Sequence, residues 1–232
     1  MKRIGLLGGM SWQSSALYYA LINEFVAERL GGFHSADCVM ASVDFATIEA
    51  MQVEGRWDDA GAALATEARA LEAAGAEMIV LCTNTMHKVA DQIQAAVRIP
   101  ILHLGDVTAA AVLATGIDTV GLLGTRFTME ESFYVDRMRS HGLEVVVPEA
   151  EDRALVNRVI YEELVAGSVL DESRAEYVRI IDNLRSRGAQ GVILGCTEIE
   201  LLIGPGDTTL PVFPTTRIHA EAAVTAALSV VE

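Results

Sequence analysis

The chain has 232 residues, 51% of them hydrophobic, and a formal net charge of −15. This length and hydrophobic content suit one large domain or two small ones. The acidic excess and the lack of a basic stripe argue against nucleic acid as a partner, and the same charge repels anionic membranes. No run of about 20 apolar residues is present that could span a bilayer.

The three cysteines are Cys38, Cys82 and Cys196, an odd and widely spaced set that is not typical of a disulfide framework. The apolar run near the N-terminus is short and is broken by glycines, unlike a signal peptide. We therefore expect a reducing, cytoplasmic compartment in which free thiols persist.

Short β-branched apolar runs alternate with longer amphipathic segments along the chain, and this pattern predicts an α/β fold with parallel sheets. The predicted strands are residues 3–8, 37–43, 78–82, 99–103, 119–124, 144–147, 192–195 and 211–213. The predicted helices are residues 15–30, 57–74, 86–97, 107–115, 129–141, 154–165, 173–186 and 217–231. Residues 44–56 are predicted to form a loop that could cover a cleft.

An internal repeat relates the two halves of the chain. The Gly-Leu-Leu-Gly sequence at residues 5–8 recurs at residues 121–124, and Cys82 in a Leu-Cys-Thr sequence has a counterpart in Gly-Cys-Thr at Cys196. A third pair, Ile-Pro-Ile and Leu-Pro-Val, follows in the same order. The repeat predicts two pseudo-symmetric, doubly wound domains, each with a four-stranded parallel sheet.

The domain boundaries follow from this repeat. We expect an N-terminal α/β domain over residues 1–115 and a C-terminal α/β domain over residues 116–215. A final helix over residues 216–232 has no counterpart at the same place in the first half, and we expect it to pack back on the first domain. The absence of a linker-like segment predicts that the domains are tightly apposed.

Four turns at the predicted carboxyl ends of strands carry glycines, hydroxyls or a thiol: residues 8–12, 82–85, 124–126 and 196–198. Ligands of open parallel sheets bind at these ends, and free N–H groups at helix N-termini bind anions. The glycine turn at residues 5–9 is not a Gly-x-Gly-x-x-Gly motif, so a dinucleotide is not expected. The turns predict a cleft between the domains that binds a substrate carboxylate.

Cys82 and Cys196 are the predicted catalytic residues, because an approximate two-fold axis would make their thiols face each other across the cleft. Such a pair suits removal of a proton from one face of a carbon and its return to the other face. Glu198 could polarise the Cys196 thiol or accept the substrate ammonium, and Arg126 could clamp an anion. Cys38 lies among apolar neighbours and is expected to be structural.

A metal site would need ligands beyond the two thiols, and no ligand spacing in the sequence supports one. The imidazoles of His87, His103 and His219 could approach, and His87 could instead orient a neighbouring residue. We expect neither a metal nor a cofactor.

Four longer motifs resemble those of the aspartate/glutamate racemase family, which works without pyridoxal phosphate. They are Gly-Leu-Leu-Gly-Gly-Met-Ser-Trp near the start, Leu-Cys-Thr-Asn-Thr-Met-His-Lys in the middle, Leu-Leu-Gly-Thr-Arg-Phe-Thr-Met-Glu in the second half, and Gly-Cys-Thr-Glu-Ile late in the chain. The resemblance runs from about residue 3 to the C-terminal helix. It is greatest for the bacterial branch with broad amino-acid specificity.

The resemblance implies a cofactor-independent racemase of aspartate, glutamate or related amino acids. It implies a homodimer, an active site between two α/β domains, and Cys82 and Cys196 as the two catalytic cysteines. Glu198 would assist the second thiol. It stands where dedicated glutamate racemases carry a histidine, which argues against a dedicated cell-wall glutamate racemase. The positions that match residues near the family's bound substrate are Met10, Gln52, Asn84, Thr85, Thr125 and Thr197.

Other functions remain open. The same fold group includes hydantoin racemases, maleate isomerases and arylmalonate decarboxylases, although a decarboxylase needs only one thiol. A non-catalytic protein that binds amino acids is a further alternative, against which the paired thiols argue.

Overall fold

The structure is a computed structural model that describes residues 1–229. The chain forms two compact units. The first comprises Met1–Leu104 and the chain from His219 on, and the second comprises Gly105–Ile218. This division falls before the helix that was predicted at residues 107–115, so the whole of that predicted helix belongs to the second unit.

Whether residues 1–115 and 116–215 act as domains stays a prediction. The predicted C-terminal helix is observed as Thr215–Leu228. Its residues from His219 on belong to the first unit. Residues 230–232 lie outside the described part of the chain.

The first unit contains a four-stranded parallel sheet in the order β2-β1-β3-β4. The central strands β1 and β3 are completely buried and are made of the apolar runs that the sequence analysis identified. The strands are β1 (Ile4–Gly8), β2 (Cys38–Ser42), β3 (Met78–Leu81) and β4 (Ile101–Leu102).

The second unit repeats this topology, with a parallel sheet in the order β6-β5-β7-β8. Its strands are β5 (Thr119–Gly124), β6 (Glu144–Val146), β7 (Gly191–Gly195) and β8 (Val212–Pro214). The predicted α/β fold with one four-stranded parallel sheet in each half is therefore confirmed.

Ten α-helices are described within residues 1–229. They are α1 (Trp12–Leu30), α2 (Phe45–Val53), α3 (Trp57–Ala73), α4 (Ala90–Gln94), α5 (Leu104–Leu113), α6 (Arg126–Glu130), α7 (Ser132–Ser140), α8 (Ala150–Val159), α9 (Asp171–Ser186) and α10 (Thr215–Leu228). A π-helical turn, Ile160–Leu164, continues α8. Within the described residues, no helix is both long and apolar enough to cross a bilayer.

The prediction of a loop at residues 44–56 is wrong, because this segment contains helix α2. The Asp44 carboxylate caps the helix by accepting a hydrogen bond from the Ala46 N–H at 3.2 Å. Ile48 and Gln52, one turn apart, are its buried residues. A buried glutamine in place of an apolar side chain weakened the helical pattern in the sequence.

The secondary structure after Cys82 and after Cys196, the two predicted catalytic residues, also differs from the prediction. Five-residue 3-10 segments, Thr85–Val89 and Thr197–Leu201, follow Cys82 and Cys196 where α-helices were expected. Such short segments lack the aligned peptide dipoles of a longer α-helix. Neither thiol therefore lies at the start of a long α-helix that would favour its ionised form.

Each unit has its own apolar core. In the first unit, α1 and α10 pack against one face of the sheet around Tyr18, and α3 and α4 pack on the other face around Leu64 and Ile93. In the second unit, α8 and α9 cover β5 and β7 through side chains that include Val156 and Ile180. The helices cover the faces of each sheet, and the polar turns lie at the carboxyl ends of its central strands.

Candidate functional site

Cys82 directly follows β3 at the carboxyl edge of the first sheet. Its backbone N–H continues the ladder to the Leu7 carbonyl at 2.9 Å, and its thiol lies 3.5 Å from the Val80 carbonyl as a donor. The residue is 0% exposed. Burial raises the pKa of Cys82, so the thiol is protonated at neutral pH in the absence of a ligand.

The turn after β1 lies beside Cys82, since β1 and β3 are adjacent parallel strands. Ser11 caps α1 by accepting a hydrogen bond from the Ser14 N–H at 3.2 Å. The Ser14 hydroxyl in turn donates to the Cys82 carbonyl at 3.2 Å. The start of α1 thus holds the backbone of Cys82, a link that the sequence analysis missed because no motif joins the two residues.

Four predicted substrate-binding residues belong to this first unit, and all are buried: Met10, Gln52, Asn84 and Thr85. Asn84 and Thr85 continue the turn after Cys82. Met10 follows β1 and shares an apolar cluster with Met86. The Gln52 amide lies 2.9 Å from the Met86 sulfur. The structure therefore groups these residues at one edge of the first sheet.

Cys196 directly follows β7 in the second unit, at the position that corresponds to Cys82. Its thiol donates to the Glu198 carboxylate at 2.9 Å, and the residue is 9% exposed. Burial, followed by the negative charge of Glu198, raises the pKa of Cys196 well above its ordinary value. Cys196 and Glu198, two predicted site residues, are therefore in direct contact.

Two further predicted residues lie near this edge of the second sheet. Thr125 follows β5, the neighbour of β7, and its hydroxyl caps α6 by accepting from the Thr128 N–H at 3.4 Å. The Thr197 hydroxyl lies 3.1 Å from that of Thr216, at the start of α10. Both threonines are buried.

Arg126 is exposed, and its backbone N–H donates to the Asn157 side chain at 2.8 Å. Its guanidinium group lies over the Phe127 ring, 5.5 Å from the centroid. Its predicted role as an anion clamp stays a prediction.

Glu200 is a residue that the sequence analysis missed. It lies on the same 3-10 segment as Glu198 and is partly buried beside Thr216. Burial raises its pKa to about 7, against the opposing effect of hydrogen bonding to Thr216. The Glu-x-Glu spacing after Cys196 was the available signal, but spacing does not reveal burial.

The structure brings three histidines together in the first unit. The ring centroid of His87 lies 4.7 Å from that of His103 and 5.8 Å from that of His219. Over residues 1–229, no group of three or more His, Cys, Asp or Glu side chains is arranged to hold a metal ion. In each unit, one buried cysteine lies at a polar turn, where it can donate a proton as the thiol and accept one as the thiolate.

Comparison with known proteins shows the family of the chain. The profile of the Asp/Glu/Hydantoin racemase family matches residues 7–223. A curated relative, the broad specificity amino-acid racemase RacX of Bacillus subtilis, is 22% identical over 97% of this chain and 98% of its own length.

Two crystal structures resemble the chain over nearly all of its length. A candidate Asp/Glu racemase from Yersinia pestis is 52% identical, with a TM-score of 0.94 over 99% of this chain and 100% of the other. An aspartate racemase homologue from Pyrococcus horikoshii OT3 is 36% identical, with a TM-score of 0.88 and the same coverage. The protein belongs to the Asp/Glu/Hydantoin racemase family.

Proposed function

We propose that this protein racemises aspartate, glutamate or a related amino acid without a cofactor, using Cys82 and Cys196 as the two acid–base groups. The observation that carries the proposal is the equivalent position of the two thiols, each buried directly after the third strand of a 2-1-3-4 sheet. Family membership supports a racemase, and the relatives named for amino acids favour an amino-acid substrate.

In this proposal, the thiolate of one cysteine removes the α-proton and the thiol of the other returns a proton to the opposite face. Each cysteine is then the base for one enantiomer and the acid for the other. N–H groups of the polar turns and nearby threonine hydroxyls would stabilise the charge that develops on the substrate carboxylate. The proposal requires both sulfurs to reach one substrate carbon.

The raised pKa values of both thiols set a condition on this mechanism, because a protonated thiol cannot act as the base. In the free protein the Glu198 charge raises the pKa of Cys196 further, so we propose that Glu198 takes the thiol proton only during turnover, through the hydrogen bond that its carboxylate already accepts. We propose that the pair titrates as a coupled unit in which one sulfur is ionised at a time.

The test is the separate replacement Cys82→Ser and Cys196→Ser, with Cys38→Ser as the matched control. Each of the first two should lower the rate of racemisation by at least about 10²-fold, the usual contribution of general acid–base catalysis. The racemisation rate of the Cys38→Ser control should stay within about twofold of the wild-type rate, because Cys38 lies on edge strand β2. Full activity in both directions in either catalytic variant would refute the proposal.

Proton NMR in deuterated buffer identifies the reaction. L- and D-aspartate, L- and D-glutamate, other amino acids and a hydantoin should be assayed for loss of the α-proton and formation of the opposite enantiomer. A covalent adduct with maleate, found by mass spectrometry, would indicate an isomerase with a nucleophilic cysteine. Absence of exchange with every compound would favour a non-catalytic binding protein.

We propose that the protein is a homodimer, as the family resemblance implies, and that it is cytoplasmic. The free thiols of Cys38, Cys82 and Cys196 support the location only. Light scattering of the purified protein tests the dimer. A monomer at micromolar concentration would contradict it.

A further inference from the structure

The His87 imidazole is buried and uses both ring nitrogens. Nδ1 lies 2.7 Å from the Thr83 carbonyl, and Nε2 lies 3.1 Å from the Leu104 N–H, which donates to it. A nitrogen that accepts an N–H hydrogen bond carries no proton, so Nδ1 must hold the single proton of the ring and donate it to Thr83. The contacts thus fix one neutral tautomer.

The surroundings of His87 favour this neutral form. Burial, followed by the neighbouring His103 and His219, lowers the pKa of His87 well below its ordinary value. His219 is fixed in the same way: its Nε2 lies 2.8 Å from the Leu102 carbonyl, and its Nδ1 lies 2.9 Å from the Tyr18 hydroxyl. A proton added to Nε2 of His87 would place two donors against each other at Leu104.

The contacts of His87 connect the Cys82 turn to the start of α5, just beyond the neighbouring strand β4. Thr83 is the residue after Cys82, and Leu104 begins α5 directly beyond β4, the sheet neighbour of β3. The Ser14 hydroxyl holds the carbonyl of Cys82, and His87 holds the carbonyl of Thr83. Two consecutive peptide groups beside the thiol are therefore held by side chains from different elements.

We propose that His87 is a positioning residue for Cys82: its neutral imidazole links the Thr83 carbonyl to the Leu104 N–H at the start of α5 and so fixes the direction of the Cys82 thiol. The proposal rests on the proposed racemase function. A displacement of about 1 Å at a proton-transfer group can cost about 10²-fold in rate, so this link should matter for turnover.

Two replacements of His87 test its two hydrogen bonds separately. In His87→Asn, the amide N–H₂ stands where Nδ1 does and can still donate to the Thr83 carbonyl. In His87→Gln, the amide oxygen reaches towards the Leu104 N–H, but the bond to Thr83 is lost. Gln94→Ala is the matched control, because the Gln94 amide makes similar bridges to backbone at the start of β4, with Ile101 N–H at 2.8 Å and the Ile99 carbonyl at 3.1 Å.

The readout is exchange of the α-proton with deuterium, measured separately for each enantiomer. Cys82→Ser identifies the enantiomer whose exchange depends on Cys82. His87→Gln should slow that exchange at least tenfold and change the other less than threefold, while His87→Asn should recover at least half of the lost rate. Equal effects on both enantiomers, no effect on either, or no recovery in a folded Asn variant would overturn the proposal.

A second readout does not depend on racemisation. Alkylation of Cys82 and Cys196 by iodoacetamide, followed by peptide mass spectrometry, should give a Cys82 to Cys196 rate ratio at least threefold higher in His87→Gln than in wild type. The ratio should stay unchanged in Gln94→Ala. An unchanged ratio in His87→Gln would contradict the positioning role of His87, whereas an inactive wild-type protein with an altered ratio would contradict only the proposed function.

Discussion

At the scale of single residues, the contact between Cys196 and Glu198 predicts that the pKa of this thiol depends on the carboxylate. The carboxylate charge raises the pKa of Cys196, second in effect to burial, and a carboxylate oxygen accepts a hydrogen bond from the thiol. In Glu198→Gln, the pKa of Cys196 should fall, and each unit of decrease gives about tenfold more thiolate at pH 8. Alkylation of Cys196 should become faster while racemisation falls at least about 10²-fold.

Glu200→Gln is the control for this experiment, because Glu200 lies two residues further along and its charge has a smaller effect on Cys196. The pKa of Cys196, measured from its alkylation rate against pH, should change less in Glu200→Gln than in Glu198→Gln. Slower alkylation in Glu198→Gln than in wild type would show that the carboxylate promotes ionisation of the thiol in the free protein, contrary to the prediction.

At the scale of elements, the turn between β1 and α1 depends on Gly9. Its φ of +95° is in a region that side chains rarely adopt, and an added Cβ would lie 2.2 Å from the Val43 carbonyl oxygen beyond β2. Gly9→Ala should therefore lower the free energy of unfolding by about 3 kcal/mol or more, through backbone strain and overpacking together. Denaturant unfolding monitored by circular dichroism measures the change.

Gly31→Ala separates the two causes. Gly31 also has a positive φ, +69°, but nothing lies within 4 Å of an added Cβ. This variant should lose less, about 1 to 3 kcal/mol, because only its backbone conformation, with φ +69° and ψ −172°, is unfavourable for alanine. Equal losses in the two variants would show that the contact with Val43 relaxes and does not restrict the turn.

At the scale of the whole molecule, the two units should respond to acid with opposite signs. In the first unit, burial lowers the pKa of His219 to about 4 and lowers that of His87, so the unfolded state binds more protons below about pH 6.5. In the second unit, burial raises the pKa of Glu200 to about 7. As the pH falls, the Glu200 carboxylate is therefore protonated in the folded state before it is protonated in the unfolded state. Acidification from pH 7 to 5 should destabilise the first unit and, through Glu200, stabilise the second.

Amide hydrogen exchange, corrected for intrinsic rates, can follow β3 and β7 separately at pH 7, 6 and 5. Each fully titrating group contributes up to about 1.4 kcal/mol per pH unit. His219→Gln should flatten the decline in the first unit, and Glu200→Gln should remove the opposite trend in the second. Parallel declines in both units of the wild-type protein would contradict the prediction.

Much of the fold could be predicted because local sequence carries it. The apolar runs before Cys82 and Cys196 are long enough and rich enough in β-branched residues to form buried parallel strands, and their repetition predicted two similar sheets. Helix α2 was missed because Gln52 faces inward, and periodicity recognises apolar side chains only. The short 3-10 segments after the cysteines were also missed, since their composition resembles the first turn of an α-helix.

The sequence by itself determined that both thiols lie at strand ends, because each cysteine directly follows an apolar run of the length and composition of a buried parallel strand. Only the tertiary structure decided their chemical surroundings. The pKa of Cys196 depends on a carboxylate at 2.9 Å, and the tautomer of His87 depends on Leu104, a residue brought to it by the pairing of β3 with β4. Burial and hydrogen bonding act through distance in space, which residue order alone does not contain.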